Sequence, residues 1–253
     1  MSRIAIYTVL VGAYDNVVDP LVVNNEIDYI CFVGKGEAGL HNSKVWKFIE
    51  IEDALKDKGR MSRIPKILPH KTALSEYDYS LYVDANILIK EKYIYDRIGE
   101  LVSTNTRIAL LQHPFRDCVY QEAYVCIASL KGGWSSILRQ IAFLKRKRYP
   151  KHAGLYEANV IFRKHNELEV VEMDKLWWKT FMRYSKRDQL SLVYALKETK
   201  LQPVFFLPPG QTTRNHPAFE KIMHLAKKGT HSQRMKKTIV KVLSGVSRKL
   251  LKE

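Results

Sequence analysis

A short apolar run followed at once by polar residues is the feature that most constrains the fold of this chain. Residues 79–83 read YSLYV, a run of strand-forming residues, and Asp84, Ala85 and Asn86 follow directly. The run predicts a buried strand that ends at Asp84. In α/β proteins, the carboxyl ends of central strands face the crevice in which ligands bind. We therefore expect Asp84 at the edge of a ligand crevice in an α/β domain.

Asp84 and Asn86 are candidate metal ligands. They are two positions apart, so an extended backbone directs both side chains to the same side. Their oxygens are hard ligands of the kind that Mg²⁺ or Mn²⁺ takes, and they leave coordination positions for a diphosphate. A turn accounts for the same residues equally well, because Asp and Asn are ordinary turn residues. A metal–diphosphate site and a plain turn are both open at this point.

Strand and helix patterns alternate along most of the chain. Strands are predicted at 4–10, 27–33, 45–51, 79–83, 107–112, 154–163 and 201–207, and helices at 60–75, 91–103, 119–130, 134–143, 166–181 and 186–199. Pro69 indicates that the segment 60–75 is a kinked or short helix. The alternation predicts an α/β fold. A length of 253 residues suits one large domain, with or without a small appendage.

The composition is that of a soluble globular protein. Hydrophobic residues make up 46% of the chain and charged residues 27%. No run approaches the roughly 20 apolar residues that span a bilayer, and the amino terminus has no signal pattern, so we expect a cytoplasmic protein. Three cysteines, without a C-x-x-C pair, argue against a disulfide framework or a zinc site.

Positive charge is concentrated in two parts of the chain. The net charge is +16, and residues from Lys221 onward contain ten Lys or Arg and one acid. A second cluster comprises Arg139 and residues 145–148. Such one-sided charge favours polyanionic partners. The tail also repeats apolar residues with helical spacing from Met235 to Leu250, which predicts either a basic amphipathic helix on an anionic membrane or a terminal helix docked on the domain.

Polar residues follow or interrupt several predicted strands. Gly12 and Tyr14 follow the first strand and could form a platform for a nucleotide, or simply a packed turn. His113 and Arg116 follow the strand 107–112 and are candidates for acceptor or diphosphate contacts, with strand capping as the alternative for His113. Glu157 lies within the next strand together with Asn159. Buried polar groups need partners, so this strand faces a polar pocket or lies at a sheet edge.

Two helical segments carry further candidates. Arg63, Lys66 and His70 are spaced by three and four residues, so a helix would place them on one face, either toward phosphates or toward solvent. Asp188 and Gln189 lie in the first turn of the helix predicted at 186–199, which Ser185 or its neighbours would cap. The helix dipole favours an acid at Asp188, so capping alone explains it.

Six segments together resemble a known family. They read IYTVLVGAYD, RIPKILPH, YSLYVDANI, HPFRDCVYQEA, GLYEANVIFR and YSKRDQLSL, at 6–15, 63–70, 79–87, 113–123, 154–163 and 184–192. In this order they resemble the GT-A-fold glycosyltransferases, and most closely the glycosyltransferase-like domain family shared by bacterial polysaccharide-locus enzymes and plant mucilage-related proteins. The resemblance implies a single GT-A-like, Rossmann-like domain at 1–220, with a mixed, mostly parallel sheet flanked by helices, and a basic C-terminal helix at 221–253.

The resemblance also implies a reaction and its partners. It implies a metal-dependent glycosyltransferase that moves a sugar from a nucleotide-sugar donor, UDP-sugar first, to a hydroxyl of a glycan or lipid-linked glycan. The setting it implies is cell-surface polysaccharide synthesis, of O-antigen or capsule, on the inner face of the cytoplasmic membrane. The expected partners include an anionic membrane surface through the tail and do not include nucleic acid. The expected cofactor is Mn²⁺ or Mg²⁺.

Residue roles follow by position in the family pattern. The implied nucleotide-binding residues are Thr8, Val9, Gly12, Tyr14, Arg63 and Lys66, and the implied substrate-binding residues are His70, His113, Arg116, Asn159 and Gln189. Asp84 and Asn86 occupy the positions of the family's acidic metal-binding pair, with Asn in place of the second acid. His216 is the candidate third metal ligand. An inverting reaction requires a base, Asp188 first and Glu157 second. A retaining reaction requires none, and the sequence leaves both open.

Two other classes of function remain possible. A nucleotidyltransferase on a similar scaffold would also use a metal and a nucleotide, but VGAYD at 11–15 is a poor phosphate loop. A non-enzymatic nucleic-acid binder would account for the charge. Against it, the charge gathers in an amphipathic tail instead of interleaving with aromatic residues along a groove.

Overall fold

Nine strands form two sheets in the computed structural model, which describes residues 2–12, 17–52 and 55–222. They are β1 (Ile4–Leu10), β2 (Asp28–Val33), β3 (Lys47–Glu50), β4 (Tyr79–Val83), β5 (Ile87–Ile89), β6 (Ile108–Gln112), β7 (Tyr156–Arg163), β8 (Val204–Phe205) and β9 (Phe219–Lys221). The main sheet has seven strands in the order β3-β2-β1-β4-β7-β6-β8, and β5 pairs with β9 in a small ribbon.

Strand directions make the main sheet mixed but mostly parallel. Strand β7 is antiparallel to its neighbours β4 and β6, and all other neighbouring strands are parallel. This confirms the predicted sheet type. The reversed direction of β7 has a consequence for the site, because the amino end of β7 lies at the edge where β1 and β4 end.

Helices cover both faces of the main sheet. They are α1 (Lys58–Met61), α2 (Ile64–Ile67), α3 (Tyr93–Ser103), α4 (Val119–Ala128), α5 (Trp134–Arg146), α6 (Leu168–Arg183) and α7 (Asp188–Glu198). Helix α3 packs Ile94, Ile98 and Leu101 against one face. Helices α6 and α7 contribute to the core on the other face, for example through Trp177 and Leu192. Helices α4, α5 and α7 share a third buried cluster.

Some predicted elements differ from the observed ones. The segment 60–75 is not one continuous helix but is broken into short pieces, as Pro69 indicated: the short helices α1 and α2 are followed by 3₁₀ turns at Pro69–Lys71 and Ala73–Glu76. Pro69 has no amide hydrogen and cannot continue α2. The strand predicted at 201–207 is reduced to the two residues of β8, with Pro203 and Pro208 on either side. The ribbon of β5 and β9 was not predicted, because three-residue strands leave little periodicity.

The described ends of the chain bear on the predicted tail. Lys221, which begins the predicted tail, pairs with Ile87 in the small ribbon, and the Ile222 amide donates to the Asn86 carbonyl at 2.8 Å. The rest of the tail, 223–253, lies outside the described residues.

None of the described helices has the length and apolar character needed to cross a bilayer. Cys31, Cys118 and Cys126 are buried free thiols.

Candidate active site

A cavity of about 490 Å³ opens at the carboxyl edge of the central strands. Val9 and Leu10 line it from the end of β1, and residues 84–86 line it from the turn after β4. Because β7 is antiparallel, its first residues, 157–159, reach the same edge. The start of α7 contributes Asp188 and Gln189. Residues far apart in the sequence therefore meet where α/β folds bind ligands.

Asp84 lies in a turn, and it also lines the cavity. The Ile87 amide donates to its carbonyl at 2.9 Å, and its own amide donates to the Asn159 carbonyl at 2.9 Å. The Tyr82 hydroxyl donates to Asp84 Oδ1 at 2.7 Å. Burial, reinforced by the Asp84 charge, holds the pKa of Tyr82 well above its usual value, so the hydroxyl keeps its proton. The Asp84 side chain remains 38% exposed, which leaves it accessible from the cavity.

The oxygen donors at this point suit a divalent cation that a ligand helps to hold. Asp84 and Asn86 both line the cavity. Among the residues that the structure describes, no group of three or more His, Cys, Asp or Glu side chains is placed to bind a metal. Mg²⁺ is often bound by one or two protein oxygens together with substrate phosphates and water. Asp84 and Asn86 therefore fit a divalent cation that a phosphate ligand helps to coordinate.

His216, the candidate third ligand, lies elsewhere in the structure. Its ring packs on Tyr93 with centroids 4.6 Å apart, and its Nδ1 accepts the Ala218 amide at 3.1 Å. It is absent from the residues that line the cavity. Burial lowers the pKa of His216, so the ring is neutral near pH 7.

Lys66 is the central cation of the cavity. Its Nζ lies 2.7 Å from Asp188 Oδ2 and 3.5 Å from Asp84 Oδ1, and 4.8 Å from the centroid of the Tyr82 ring. Arg63 Nε lies 3.4 Å from the same oxygen of Asp188. Burial alone would raise the pKa of Asp188, but Lys66 and Arg63 outweigh it and hold the pKa well below the usual range. Asp188 is therefore ionised and acts as the counter-ion of both cations.

A buried arginine fixes the position of Lys66. Arg163 lies at the end of β7 with no exposed surface. Its Nη2 donates to the Lys66 carbonyl at 2.5 Å and to the Tyr7 hydroxyl at 2.6 Å, and its Nη1 donates to Asp174 Oδ1 at 2.8 Å. The short helix α2 is thereby tied to β1, β7 and α6.

His70 belongs to this buried region and not to the cavity, which departs from the predicted shared face. Its Nδ1 lies 3.9 Å from Asp174 Oδ2, behind α2. The spacing argument required one continuous helix, and the chain instead turns at Pro69. Burial, with help from Arg163, lowers the pKa of His70 to about 4.

His113, Arg116 and Glu122 form a polar cluster in another part of the cavity wall. Arg116 donates from Nε at 2.8 Å to Glu122 Oε2, and its Nη2 lies 2.7 Å from the same oxygen. His113 Nδ1 accepts the amides of Phe115 at 3.3 Å and of Arg116 at 3.0 Å. Burial lowers the pKa of His113. The neutral ring therefore carries its hydrogen on Nε2, which lies 3.7 Å from Glu122 Oε2 and can donate to a ligand.

A late loop completes the wall near β7. Arg214 pairs with Glu157, and the side-chain Nδ2 of Asn159 donates to the Thr213 hydroxyl at 3.1 Å. Asn159 Oδ1 is buried without a hydrogen-bond partner among the described residues. Gln189 Nε2 donates to the Tyr156 carbonyl at 2.6 Å. Glu157 and Asn159 thus face the polar pocket that their place in an apolar strand predicted.

The lining carries more positive than negative charge. Among its described members are seven Lys or Arg and four Asp or Glu side chains. The positive ones are Arg63, Lys66, Arg116, Lys131, Arg187, Arg214 and Lys221, and the negative ones are Asp84, Glu122, Glu157 and Asp188. A surplus of three positive charges in a concave site favours an anionic ligand.

Most of the predicted site residues meet at this cavity. Those that line it are Val9, Arg63, Lys66, Asp84, Asn86, His113, Arg116, Glu157, Asn159, Asp188 and Gln189. Thr8 is buried and lines a smaller pocket beside Asp84 and Ala85. The Gly12 amide donates to Glu37 Oε2 at 2.9 Å. Tyr14 lies outside the described residues.

Sequence reasoning gave no role to several lining residues. Arg187 is next to Asp188 and could have been suspected from that position alone. Its side chain passes Gly132, whose φ is +88°, and a Cβ there would come within 2.8 Å of Arg187 Cγ. Arg214 and Lys221 enter through the late loop and β9, and only their positive charge could have indicated a role.

Together these features define an α/β protein with a positively charged ligand cavity at the carboxyl edge of a mixed sheet. The chain belongs to the TOD1/MUCI70 glycosyltransferase-like domain family, whose model matches residues 3–222. This confirms the resemblance found in the sequence, and it makes glycosyl transfer the general class of activity.

Two solved structures are similar to this one. One is the apo structure of the bifunctional glycosyltransferase WbbM, with 10% identity and a TM-score of 0.46, covering 95% of this chain and 44% of that chain. The other is the apo form of mouse xyloside xylosyltransferase 1, with 7% identity and a TM-score of 0.46, covering 80% of this chain and 84% of that chain. This chain therefore spans less than half of the first protein. No curated protein sequence matches the chain.

Proposed function

We propose that the cavity binds a nucleoside-diphosphate sugar, with a UDP-sugar as the first candidate. The sugar is transferred to a hydroxyl of a glycan or lipid-linked glycan in cell-surface polysaccharide synthesis. The observation that carries the proposal is Lys66, a buried cation that lies between Asp84 and Asp188 in a cavity with surplus positive charge. Its function in the proposal is to bind the diphosphate.

The chemistry of the leaving group supports this assignment. Cleavage of the bond between the sugar and the diphosphate leaves negative charge on the diphosphate. Lys66 and Arg63 stabilise that charge more strongly as it develops. Arg163 and Tyr7 keep Lys66 in position, so little reorganisation accompanies the step. A divalent cation held by Asp84 and Asn86 supplies further positive charge when it is bound.

The remaining lining suits hydroxyl groups. Gln189, His113 and Asn159 combine donors and acceptors at the cavity wall. Arg116 and Arg214 are each neutralised by a buried carboxylate, Glu122 and Glu157. Paired charges of this kind bind sugar hydroxyls without favouring a further anion. We assign this part of the cavity to the donor sugar and the acceptor.

Asp188 is the first candidate for the base if the reaction inverts configuration, and Glu157 is the second. With diphosphate present, Lys66 and Arg63 share their charge with the phosphates, which weakens their hold on Asp188 and raises its pKa toward the usual range. The anomeric configuration of the product relative to the donor, measured by NMR, separates the mechanisms. Inversion requires such a base, whereas retention assigns Asp188 to binding alone.

Calorimetry of the full chain with UDP, with other nucleoside diphosphates and with their sugars tests the proposal, with and without Mn²⁺. We expect micromolar binding of one nucleoside diphosphate, tighter with Mn²⁺. Asp84→Asn should lose the part of the affinity that depends on Mn²⁺ and lose turnover. Asp96→Asn, which changes an exposed acid on α3, is the matched control. If no nucleoside diphosphate binds with or without Mn²⁺, the proposal is wrong.

A further inference from the structure

Helix α5 has an exposed face that its packing does not require. Its buried residues Ile137, Ile141 and Leu144 join the cluster shared with α4 and α7. Beside that buried face, Trp134 is 64% exposed and Leu138 is 44% exposed. These two are four residues apart and therefore neighbours on one helix face.

The loop before the helix holds a third exposed apolar side chain. Leu130 is 46% exposed there, and its neighbours Ser129 and Lys131 line the cavity. We call Leu130, Trp134 and Leu138 the apolar edge. A large aromatic side chain and two leucines, all exposed within one short stretch of the chain, are the kind of apolar surface that marks an interaction site.

The chain segment that contains the apolar edge carries charge of one sign. Residues 123–156 contain seven Lys or Arg and no Asp or Glu. They are Lys131, Arg139, Lys145, Arg146, Lys147, Arg148 and Lys151, all exposed. None of the seven forms an ion pair with any part of the chain that the structure describes.

We propose that the apolar edge and the basic side chains of α5 form a docking surface for an anionic lipid bilayer. Trp and Leu side chains insert at the boundary between headgroups and acyl chains, and neighbouring Lys and Arg side chains bind anionic headgroups. Nucleic acid would satisfy the charge, but it offers no apolar phase for Leu130 and Leu138. None of the residues of this surface belongs to the segment 221–253, and the inference does not depend on the reaction of the cavity.

Co-sedimentation of the full chain with vesicles tests the proposal. The vesicles are phosphatidylcholine alone or with about 30% phosphatidylglycerol. We expect Trp134→Ser with Leu138→Ser, and separately Arg139→Glu with Arg146→Glu, to weaken partitioning into the anionic vesicles about tenfold or more. The C-terminal tail is present in every variant, so its contribution is constant.

Two controls match these variants. Lys175→Glu with Lys179→Glu makes the same charge change on exposed positions of α6. Leu40→Ser with Leu168→Ser removes two exposed apolar side chains elsewhere. We expect both controls to partition as the unmodified chain does. If the α5 variants partition like the controls, the proposal is wrong.

Fluorescence gives a second measurement that does not depend on destabilising substitutions. Trp46 and Trp177 are buried and Trp178 is half-buried, whereas Trp134 is 64% exposed. Brominated lipids should quench the emission of the full chain, and Trp134→Phe should remove most of that quenching. Unchanged quenching in Trp134→Phe would contradict the proposal. If the α5 variants lose binding to RNA and keep vesicle binding, the surface is a nucleic-acid site instead.

Discussion

Lys66 Nζ lies 2.7 Å from Asp188 Oδ2, and both side chains are almost completely buried at the wall of the cavity. A second carboxylate, that of Asp84, lies 3.5 Å from the same Nζ. The cation that we assign to the diphosphate is therefore already paired in this structure. A phosphate that binds Lys66 must compete with Asp188 or share the cation with it, and this competition can be measured.

Asp188→Asn should bind the nucleoside diphosphate more tightly than the unmodified chain. The substitution removes the negative charge that competes for Lys66 and nearly preserves the shape. We expect an affinity gain of about three- to tenfold, in line with one weakened charge interaction near a partly screened site. Calorimetry gives the affinity.

Transfer to the acceptor should fall in the same variant if Asp188 is the base. Glu157→Gln is the matched control, because it makes the same change in the neighbouring pair with Arg214. We expect Glu157→Gln to leave the affinity for the diphosphate unchanged. Weaker binding by Asp188→Asn would show that Asp188 orients Lys66 instead of competing for it.

Lys66→Met should destabilise the fold by about 3 kcal/mol, because among the described residues it leaves Asp188 buried with Arg63, at 3.4 Å, as its remaining ion-pair partner. Adding Asp188→Asn should recover most of that loss, because the uncompensated charge is then gone. Chemical unfolding of the two single variants and the double variant gives the coupling energy. Additive effects would mean that the pair contributes little to stability.

The sequence was sufficient to predict the parts of the site that depend on local pattern. Tyr79–Val83 and the polar triplet after it predicted a buried strand and a carboxylate at its end, and both occur. Glu157 and Asn159 interrupt an apolar strand, which indicates either a polar pocket or a sheet edge, and the structure shows the pocket. Such features can be predicted from one segment, because burial determines the order of apolar and polar residues along a strand.

The parts that depend on contacts between distant segments were not predictable. Arg214 meets Glu157 across 57 positions, and Lys221 reaches the cavity because β9 pairs with β5. No local pattern specifies either pairing. The spacing of His70 from Lys66 predicts a shared face only if one helix continues through Pro69. Helix α2 ends at Ile67, as the alternative of a short or kinked helix expected, and His70 does not line the cavity.

Arg163→Met should destabilise the fold and also weaken diphosphate binding. Asp174 would lose its partner inside the core, a change that costs about 3–5 kcal/mol for a buried pair. The Lys66 carbonyl would lose its donor, so Lys66 would be held less firmly. Affinity relative to the unmodified chain, measured by calorimetry well below the unfolding temperature, separates this positioning effect from the loss of stability.

The pH dependence of that loss has a definite sign. Burial raises the pKa of Asp174 to about 7, against the opposing effect of Arg163. Without Arg163 the pKa of Asp174 rises further, so the folded state holds a protonated Asp174 over a wider pH range. The stability lost in Arg163→Met should therefore grow as the pH increases from about 6 to about 8. A loss that shrinks over this range would contradict this account of the pair.

His165 should make the fold sensitive to acid. Its Nδ1 lies 3.0 Å from the Ser80 hydroxyl and its Nε2 lies 2.6 Å from the Leu74 carbonyl, so the neutral ring accepts from Ser80 and donates to Leu74. Protonation of Nδ1 would break the bond from Ser80 in a fully buried site. Burial lowers the pKa of His165 from 6.5 to about 4. Its contribution to stability is therefore complete above about pH 6.5 and is lost as the pH falls toward 4.

His165→Gln measures this contribution, because Gln offers a donor and an acceptor but does not become protonated. From about pH 7.5 to about pH 5, His165 should account for a loss of about 2 kcal/mol, which urea unfolding at the two pH values would detect. Between the same two pH values, the His165→Gln variant should lose about 2 kcal/mol less stability than the unmodified chain. His70, whose pKa is also lowered to about 4, is present in both proteins and cancels in the difference. Equal losses of stability in the two proteins would show that the fold accommodates His165 in its charged form. The protonated Nδ1 would then need a buried hydrogen-bond acceptor, because it could no longer accept the hydrogen of the Ser80 hydroxyl.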